Sequence, residues 1–176
     1  MRLLYVFLAI LATHTATAQD LCKDITRQGE GSTVREFESP YNESEPPMVR
    51  VKRTISNDEY EPFDNFVLIF RVKCSLDDIY DMSDNGGRNE KQEKNLTVFF
   101  DDNTSIVNDT IDVTHDLTPD HTEAIRFVYY PLVPEIASDF ASKKINHFKV
   151  AGQDVKMTEE DSKKLMNYIN CIYKEK

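Results

Sequence analysis

The densest group of side chains that could do chemistry lies between residues 112 and 123 of this 176-residue chain. It contains two imidazoles and four carboxylates, from Asp112, His115, Asp116, Asp120, His121 and Glu123. Imidazole nitrogens and carboxylate oxygens are ligands for Zn²⁺ and related divalent ions. The spacing matches no compact zinc motif, so we expect a solvated loop between two strands. If this group serves a metal-dependent hydrolase instead, its ligands are His115, Asp116, Asp120 and His121.

Residues for nucleophilic or acid–base catalysis form no recognisable motif in this chain. Neither a G-x-S-x-G elbow nor an S-x-x-K sequence occurs. Acidic residues are frequent, but without a fold no pair of carboxylates can be assigned as a glycosidase dyad. The five glycines form no phosphate-binding loop. We therefore assign no catalytic residue and no cofactor.

Three cysteines offer a different chemistry: Cys22, Cys74 and Cys171. Three thiols allow one disulfide in any of three pairings, and we favour a bridge from Cys22 to either of the other two. Cys74 continues the apolar face of a predicted strand, which also suits a buried free thiol. Because no C-x-x-C sequence occurs, neither a redox motif nor a zinc knuckle is indicated.

Four N-x-S/T sequons mark candidate sites for N-linked glycans, at Asn42, Asn95, Asn103 and Asn108. A chain with this content of Asn, Ser and Thr would contain about one or two sequons by chance. The excess is typical of a eukaryotic secreted glycoprotein.

The N-terminus predicts export. A basic tip, Met1-Arg2, precedes an apolar run over residues 3–12 and a small-x-small site that ends at Ala18. This order is that of a secretory signal peptide covering residues 1–18. The run is shorter than the roughly 20 residues that a membrane-spanning helix needs. We expect a secreted, periplasmic or cell-surface protein, cleaved near Ala18, with no transmembrane segment in the mature chain.

The charge and composition of the chain limit the classes of binding partner that it can have. The formal net charge is −10 and 40% of the residues are hydrophobic. Nucleic-acid binding depends on Lys and Arg neutralising phosphates, so this excess of acid argues against it. The apolar content is sufficient for a core. We predict a polar lead-in segment over residues 19–47 and a single domain over residues 48–176.

Alternating apolar residues predict a sheet. The clearest strand covers residues 66–74, and one face of it consists of Phe66, Leu68, Phe70, Val72 and Cys74. Further strands are predicted over residues 48–53, 124–130 and 145–150. A hairpin is predicted over residues 96–107, because its turn contains Asp and Asn, which tolerate the left-handed conformation.

Two helices are predicted in the C-terminal third of the chain. The first covers residues 135–144, directly after Pro134. The second begins after Thr158, which forms a capping-box-like start with Asp161, and its apolar stripe needs a surface to pack on. The fold class is therefore α+β: a mainly antiparallel sheet with two or more helices on one face, including a C-terminal amphipathic helix.

Residues 99–104, 143–148 and 169–172 resemble small secreted proteins of Bacteroidetes bacteria. The resemblance covers residues 65–173 and concerns the fold. It implies a periplasmic, surface or extracellular setting and no catalytic assignment. In these bacteria Asp-Ser/Thr-apolar sequences are O-glycosylated, so Asp109-Thr110-Ile111 makes Thr110 a further candidate. The sequons favour a eukaryotic host and the resemblance favours a bacterial one, and the sequence leaves both open.

These observations favour an exported, non-catalytic binding module whose partner is a protein, a glycan or an envelope component. The candidate interaction patch consists of Tyr129, Tyr130, Leu132 and Val133 beside Pro131. One alternative is a carrier of a small hydrophobic ligand, although the Gly-x-Trp signature of lipocalins is impossible in a chain without Trp. The other alternative is a metal-dependent hydrolase that uses residues 112–123.

Overall fold

The structure, a computed structural model, describes residues 22–30, 32–40, 48–82 and 88–175. The predicted signal peptide and the sequon at Asn42 lie outside these residues. Within them the chain forms a mainly antiparallel sheet with three helices, which confirms the predicted α+β class and the C-terminal helix. The sheet dominates the architecture.

Nine strands form one sheet in the order β1-β2-β3-β4-β9-β8-β7-β10-β11. Their bounds are β1 Thr26–Gln28, β2 Val34–Glu38, β3 Met48–Ser56, β4 Phe63–Cys74, β7 Glu93–Phe100, β8 Ser105–Leu117, β9 Ala124–Pro131, β10 Ile145–Val150 and β11 Gln153–Lys156. A separate hairpin consists of β5 Tyr80–Met82 and β6 Arg88–Glu90. The helices are α1 Leu76–Ile79, α2 Pro134–Ser142 and α3 Glu159–Tyr173, and a 3-10 turn covers Cys22–Asp24.

The predicted lead-in contributes two strands to one edge of the sheet. β2 pairs with β3 along its whole length, and β1 pairs with β2. Ile25, which precedes β1, and Phe37 of β2 are both buried in the main core. Two apolar anchors and the backbone ladder thus hold a segment whose other side chains are mostly polar.

The sheet bends sharply at β8. From Ser105 to Val113 this strand pairs with β7, and it pairs with β9 only from Thr114 to Leu117. A side-chain loop at Asn108 interrupts the regular pattern, since Asn108 Oδ1 accepts from the backbone N–H groups of Thr110 and Ile111. Strands that bend in this way turn the corner between two packed sheets. Phe70 of β4 and Phe148 of β10 accordingly meet across the interior, with ring centroids 5.0 Å apart.

The C-terminal helix α3 packs across the interior of the bent sheet. α3 contacts both β3 and β10, which are separated by four strands in the sheet order. The predicted apolar stripe of α3 is buried, and it consists of Leu165, Ile169 and Ile172. Its predicted N-terminus is also confirmed, because Thr158 Oγ1 accepts from Asp161 N–H at 3.1 Å.

The two ends of the described chain are joined. Cys22 and Cys171 form a disulfide, which confirms the favoured involvement of Cys22, and Cys74 is a buried free thiol. Burial raises the pKa of the Cys74 thiol. Arg53 holds the end of α3 nearby, since its Nη1 donates to the carbonyl oxygens of Ile172, Tyr173 and Glu175. The helix C-terminus is therefore capped by a cation from the sheet.

Candidate functional site

The four predicted metal ligands are spread over two faces and a turn. His115 and Asp116 are consecutive in β8, so their side chains point to opposite faces of the sheet. Asp120 and His121 lie in the turn between β8 and β9. In the described ranges, no group of three or more His, Cys, Asp or Glu side chains is arranged to hold a metal ion.

Asp120 has a local structural role in that turn. Its carboxylate accepts from the hydroxyl groups of Thr118, at 2.7 Å, and Thr122, at 2.9 Å. These hydrogen bonds lower the pKa of Asp120 to about 2. His121, the next residue, has a left-handed backbone with φ of 57°. A tight turn thus explains the polar composition of residues 118–123, whereas the loop predicted for residues 112–117 is wrong, because these residues belong to strand β8.

His115 is held between two glutamates on the inner side of the bent sheet. Its Nε2 lies 2.8 Å from Glu93 Oε2 and its Nδ1 lies 2.9 Å from Glu90 Oε1, while its side chain is only 4% exposed. An ionised carboxylate accepts hydrogen bonds and donates none. Each ring nitrogen lies within hydrogen-bond distance of a carboxylate oxygen.

Arg126 of β9 completes this inner network. Its guanidinium donates two hydrogen bonds to the Glu93 carboxylate, from Nε to Oε2 at 2.6 Å and from Nη2 to Oε1 at 2.7 Å. Nη1 donates to Gln153 Oε1 at 2.8 Å, and the Gln153 amide donates in turn to the Lys73 carbonyl. Burial alone would raise the pKa of Glu93, but hydrogen bonds from Arg126 and His115 outweigh it and lower that pKa below its ordinary value.

We call one group of side chains the inner network: Glu90, Glu93, His115, Arg126 and Gln153. These side chains make hydrogen bonds to one another. A histidine that acts as a general base must present one nitrogen to the substrate. Each nitrogen of His115 contacts a glutamate oxygen, and Glu93 also accepts two hydrogen bonds from Arg126. Nearby strands form an open surface groove of about 710 Å³, lined by residues 90–94 and 112–115. The arrangement can fix β6, β7, β8 and β9 to one another, and it leaves no ring nitrogen for proton transfer.

Sequence reasoning found His115 but missed its partners. Glu90 and Glu93 lie in a polar stretch without apolar alternation, and Arg126 lies within the predicted strand over residues 124–130. One signal was readable, because Arg126 shares the parity of Val128 on the buried face of β9. A cation at a buried strand position requires a carboxylate partner nearby.

The predicted interaction patch was wrong for two of its four residues. Tyr130 and Leu132 are buried in the core, with 4% and 6% of their surface exposed. Tyr129 and Val133 are exposed, at 54% and 44%. Alternation along the strand explains this division, since consecutive side chains point to opposite faces.

An apolar patch does exist on the outer face of β4 and β9. Its exposed members are Tyr129, Pro131 and Val133. They lie beside the half-buried Val67 and the buried Ile69, which is only 7% exposed, and we call these five residues the outer patch. The register places Val67 opposite Pro131 and Ile69 opposite Tyr129, so the two strands contribute adjacent side chains. 

Charged pairs from β2 and β3 border the outer patch. On β3, Arg50 lies opposite Ile69 of β4 and Lys52 lies opposite Val67 of β4. Arg50 pairs with Glu38, and Lys52 pairs with Glu36 at 3.3 Å. An apolar centre therefore has a polar, ion-paired border on this side.

The candidate glycosylation sites within the described residues all lie on the β7–β8 hairpin. Asn95 lies in β7 at the register shift between Lys94 and Leu96, and Asn103 occupies the turn with φ of 65°. That left-handed conformation confirms the role predicted for this turn. Asn108 and Thr110 lie in β8, where the Thr110 hydroxyl donates to Asn108 Oδ1 at 3.1 Å.

No helix within the described ranges is long and apolar enough to cross a bilayer. Comparisons with protein-family models, with curated proteins and with solved structures gave no match to this chain, so its function has to be argued from the geometry above.

Proposed function

We propose that the protein is an exported, non-catalytic binding module that contacts a protein partner through the outer patch. The observation that carries this proposal is the exposure of Tyr129 and Pro131 on the outer face of β9 and of Val133 just beyond the end of that strand. Contiguous exposed apolar side chains on a monomer mark interaction sites.

The composition of this surface suits a protein interface. Interface centres are apolar and enriched in tyrosine and arginine, and their borders are polar. Here Tyr129 lies at the centre, and the ion pairs of Arg50 and Lys52 lie at the border. The complementary surface is an apolar knob or strip surrounded by polar groups.

The filled interior supports this function over that of a ligand carrier. A calyx-type carrier needs an apolar cavity inside the sheet. The corresponding space is occupied by fully buried side chains, the largest being Phe70, Phe140 and Phe148. The engagement of His115 with two glutamates likewise gives no support to a metal-dependent hydrolase.

The test is site-specific photo-crosslinking in the protein secreted by its own host. A crosslinking side chain at position 129 should give one adduct of discrete mass. Val133→Asp should abolish that adduct, because a carboxylate in the apolar centre would be desolvated on binding. Val107→Asp is the matched control, since Val107 is also exposed but lies on β8, away from the outer patch.

The proposal fails if the adduct survives Val133→Asp, or if a crosslinker at position 107 gives the same adduct. Thermal unfolding of each variant separates loss of binding from loss of folding.

A further inference from the structure

Over residues 105–113, β8 is paired with a neighbouring strand on one side only. This part of β8 is therefore an open edge, although the strand lies within the sheet order. Between Ser105 and Val113 its backbone pairs with β7 on one side, and the ladder to β9 begins only at Thr114. Val107, with 58% of its surface exposed, lies on this segment. An open strand edge with exposed β-branched residues is a template for pairing with another chain. Natural proteins cover or blunt such edges.

Asn108 lies in the middle of this open edge, and its side chain is held in one orientation. Its Oδ1 accepts three hydrogen bonds: from Thr110 N–H at 3.2 Å, from Ile111 N–H at 3.0 Å and from the Thr110 hydroxyl at 3.1 Å. Because the amide group is planar, fixing Oδ1 toward the chain turns Nδ2 away from it. Nδ2 makes no hydrogen bond to any residue that the structure describes.

We infer that Asn108 carries an N-linked glycan and that this glycan covers the open edge of β8. The acceptor sequence is Asn108-Asp109-Thr110. The Asn108 Nδ2 bonds to C1 of the first sugar of a lipid-linked oligosaccharyl diphosphate. The bond from C1 to the diphosphate oxygen breaks, the diphosphate leaves with the electron pair, and one Nδ2 proton passes to a base of the host transferase. The linkage leaves Oδ1 and its three hydrogen bonds intact.

The other candidate sites do not serve this purpose. Asn95 lies on β7, which is paired on both sides, by β8 and β10. Asn103 lies in the hairpin turn, beyond the end of the open edge. A sugar on the Thr110 oxygen would remove the proton that this hydroxyl donates to Asn108 Oδ1. The geometry therefore favours nitrogen at Asn108 over oxygen at Thr110.

The attachment site is tested on the protein secreted by its own host. Treatment with a glycan-releasing amidase in heavy-oxygen water should convert Asn108 to a labelled Asp, located by peptide mass mapping. Asn108→Gln and Thr110→Ala should both lose one glycan, whereas Thr110→Ser preserves the sequon and should retain it. Unmodified Asn108, or a glycan that survives Asn108→Gln and is lost in Thr110→Ala, would overturn the inference.

The covering role is tested by sedimentation of the folded protein before and after amidase treatment. Removing the glycan should increase self-association in a concentration-dependent way, and Val107→Lys should suppress that increase. Asn103→Gln is the control and should sediment like the unchanged protein. Equal sedimentation of the treated and untreated protein would refute the covering role.

This inference shares with the proposed function only the assumption of export. Crosslinking from position 129 should be unaffected by Asn108→Gln, so either idea can fail without the other. The N-terminus of the secreted chain, read from the same mass spectra, tests export itself.

Discussion

The inner face of the sheet is stabilised differently at its two ends. At the end near the β7–β8 turn, the Phe140 ring of α2 packs on Phe100 and Tyr130, with centroids 5.3 and 6.0 Å away. At the other end of the same strands, Arg126 and His115 enclose Glu93. Buried apolar surface stabilises the end at Phe140, whereas directed, charge-assisted hydrogen bonds stabilise the end at Glu93.

This difference predicts two kinds of response to mutation. Removing a ring leaves a cavity that neighbours fill only partly. Removing one member of a buried ion pair leaves an uncompensated charge, and replacing both members by apolar groups is far milder. Stability at the apolar end should therefore depend on side-chain volume. Stability at the polar end should depend on whether both members of the ion pair are present.

The largest effect is expected at the apolar end. Phe140→Ala should lower the free energy of unfolding by about 4 kcal/mol, because it opens a ring-sized cavity between two other rings. The measurement is urea unfolding. Phe99→Ala is the control on the outer face of β7, where the ring is half-buried against His147, and it should cost less than about 2 kcal/mol. Equal losses of unfolding free energy in Phe140→Ala and Phe99→Ala would contradict the special role of the buried ring cluster.

Arg126→Met should cost about 3 kcal/mol, because it leaves Glu93 buried without its bidentate partner. Adding Glu93→Leu to that variant should recover more than half of the loss. A double-mutant cycle measures this coupling. If the two losses simply add, the polar end behaves like the apolar end and the comparison fails.

His115→Gln should cost about 1.5 kcal/mol, because one side-chain amide cannot reproduce the contacts that the two ring nitrogens make with Glu90 and Glu93. Since Glu90 belongs to β6, the loss should be local. Hydrogen exchange of the β5–β6 hairpin should accelerate, while exchange in β4 stays unchanged. His147→Gln, on the outer face of β10, should leave the hairpin protected. Uniform acceleration would instead indicate global destabilisation.

The smallest effect concerns pH. The folded-state pKa of Glu93 lies below its ordinary value of 4.5. The stabilisation is therefore complete above that ordinary value and is lost as the pH falls through the folded-state pKa. Unfolding midpoints should fall more steeply on acidification in the unchanged protein than in Glu93→Gln. Parallel pH profiles would mean that Glu93 is not stabilised in its ionised form.

Elements with a strong local signal were predictable. The strand Ile145–Val150 has the predicted bounds, and the Thr158 cap and the Asn103 turn have the predicted geometry. β1, β2, β5 and β6 were missed because short, polar edge strands have little apolar alternation. Their backbone partners, distant in sequence, determine their conformation.

The inner network was hidden for a related reason. Glu93 and Arg126 are 33 residues apart, and only the sheet register brings them together. The segment from Asp112 to Leu117 looked like a loop because polar side chains occur on both of its faces. One of those faces points into the buried network. The error at Tyr130 and Leu132 was avoidable, since strand alternation applies to the last residues of β9 as well.

The disulfide between Cys22 and Cys171 has a mechanical consequence. It joins two residues that are 149 positions apart in the sequence, with their Cα atoms 5.6 Å apart. A pulling force applied at these two residues passes through the covalent bridge and bypasses the nine strands. In an oxidising environment the sheet carries no tension, whatever holds the chain at either end. Reduction would transfer the load to the short outer strands β1 and β2, and pulling β2 away would withdraw Phe37 from the core.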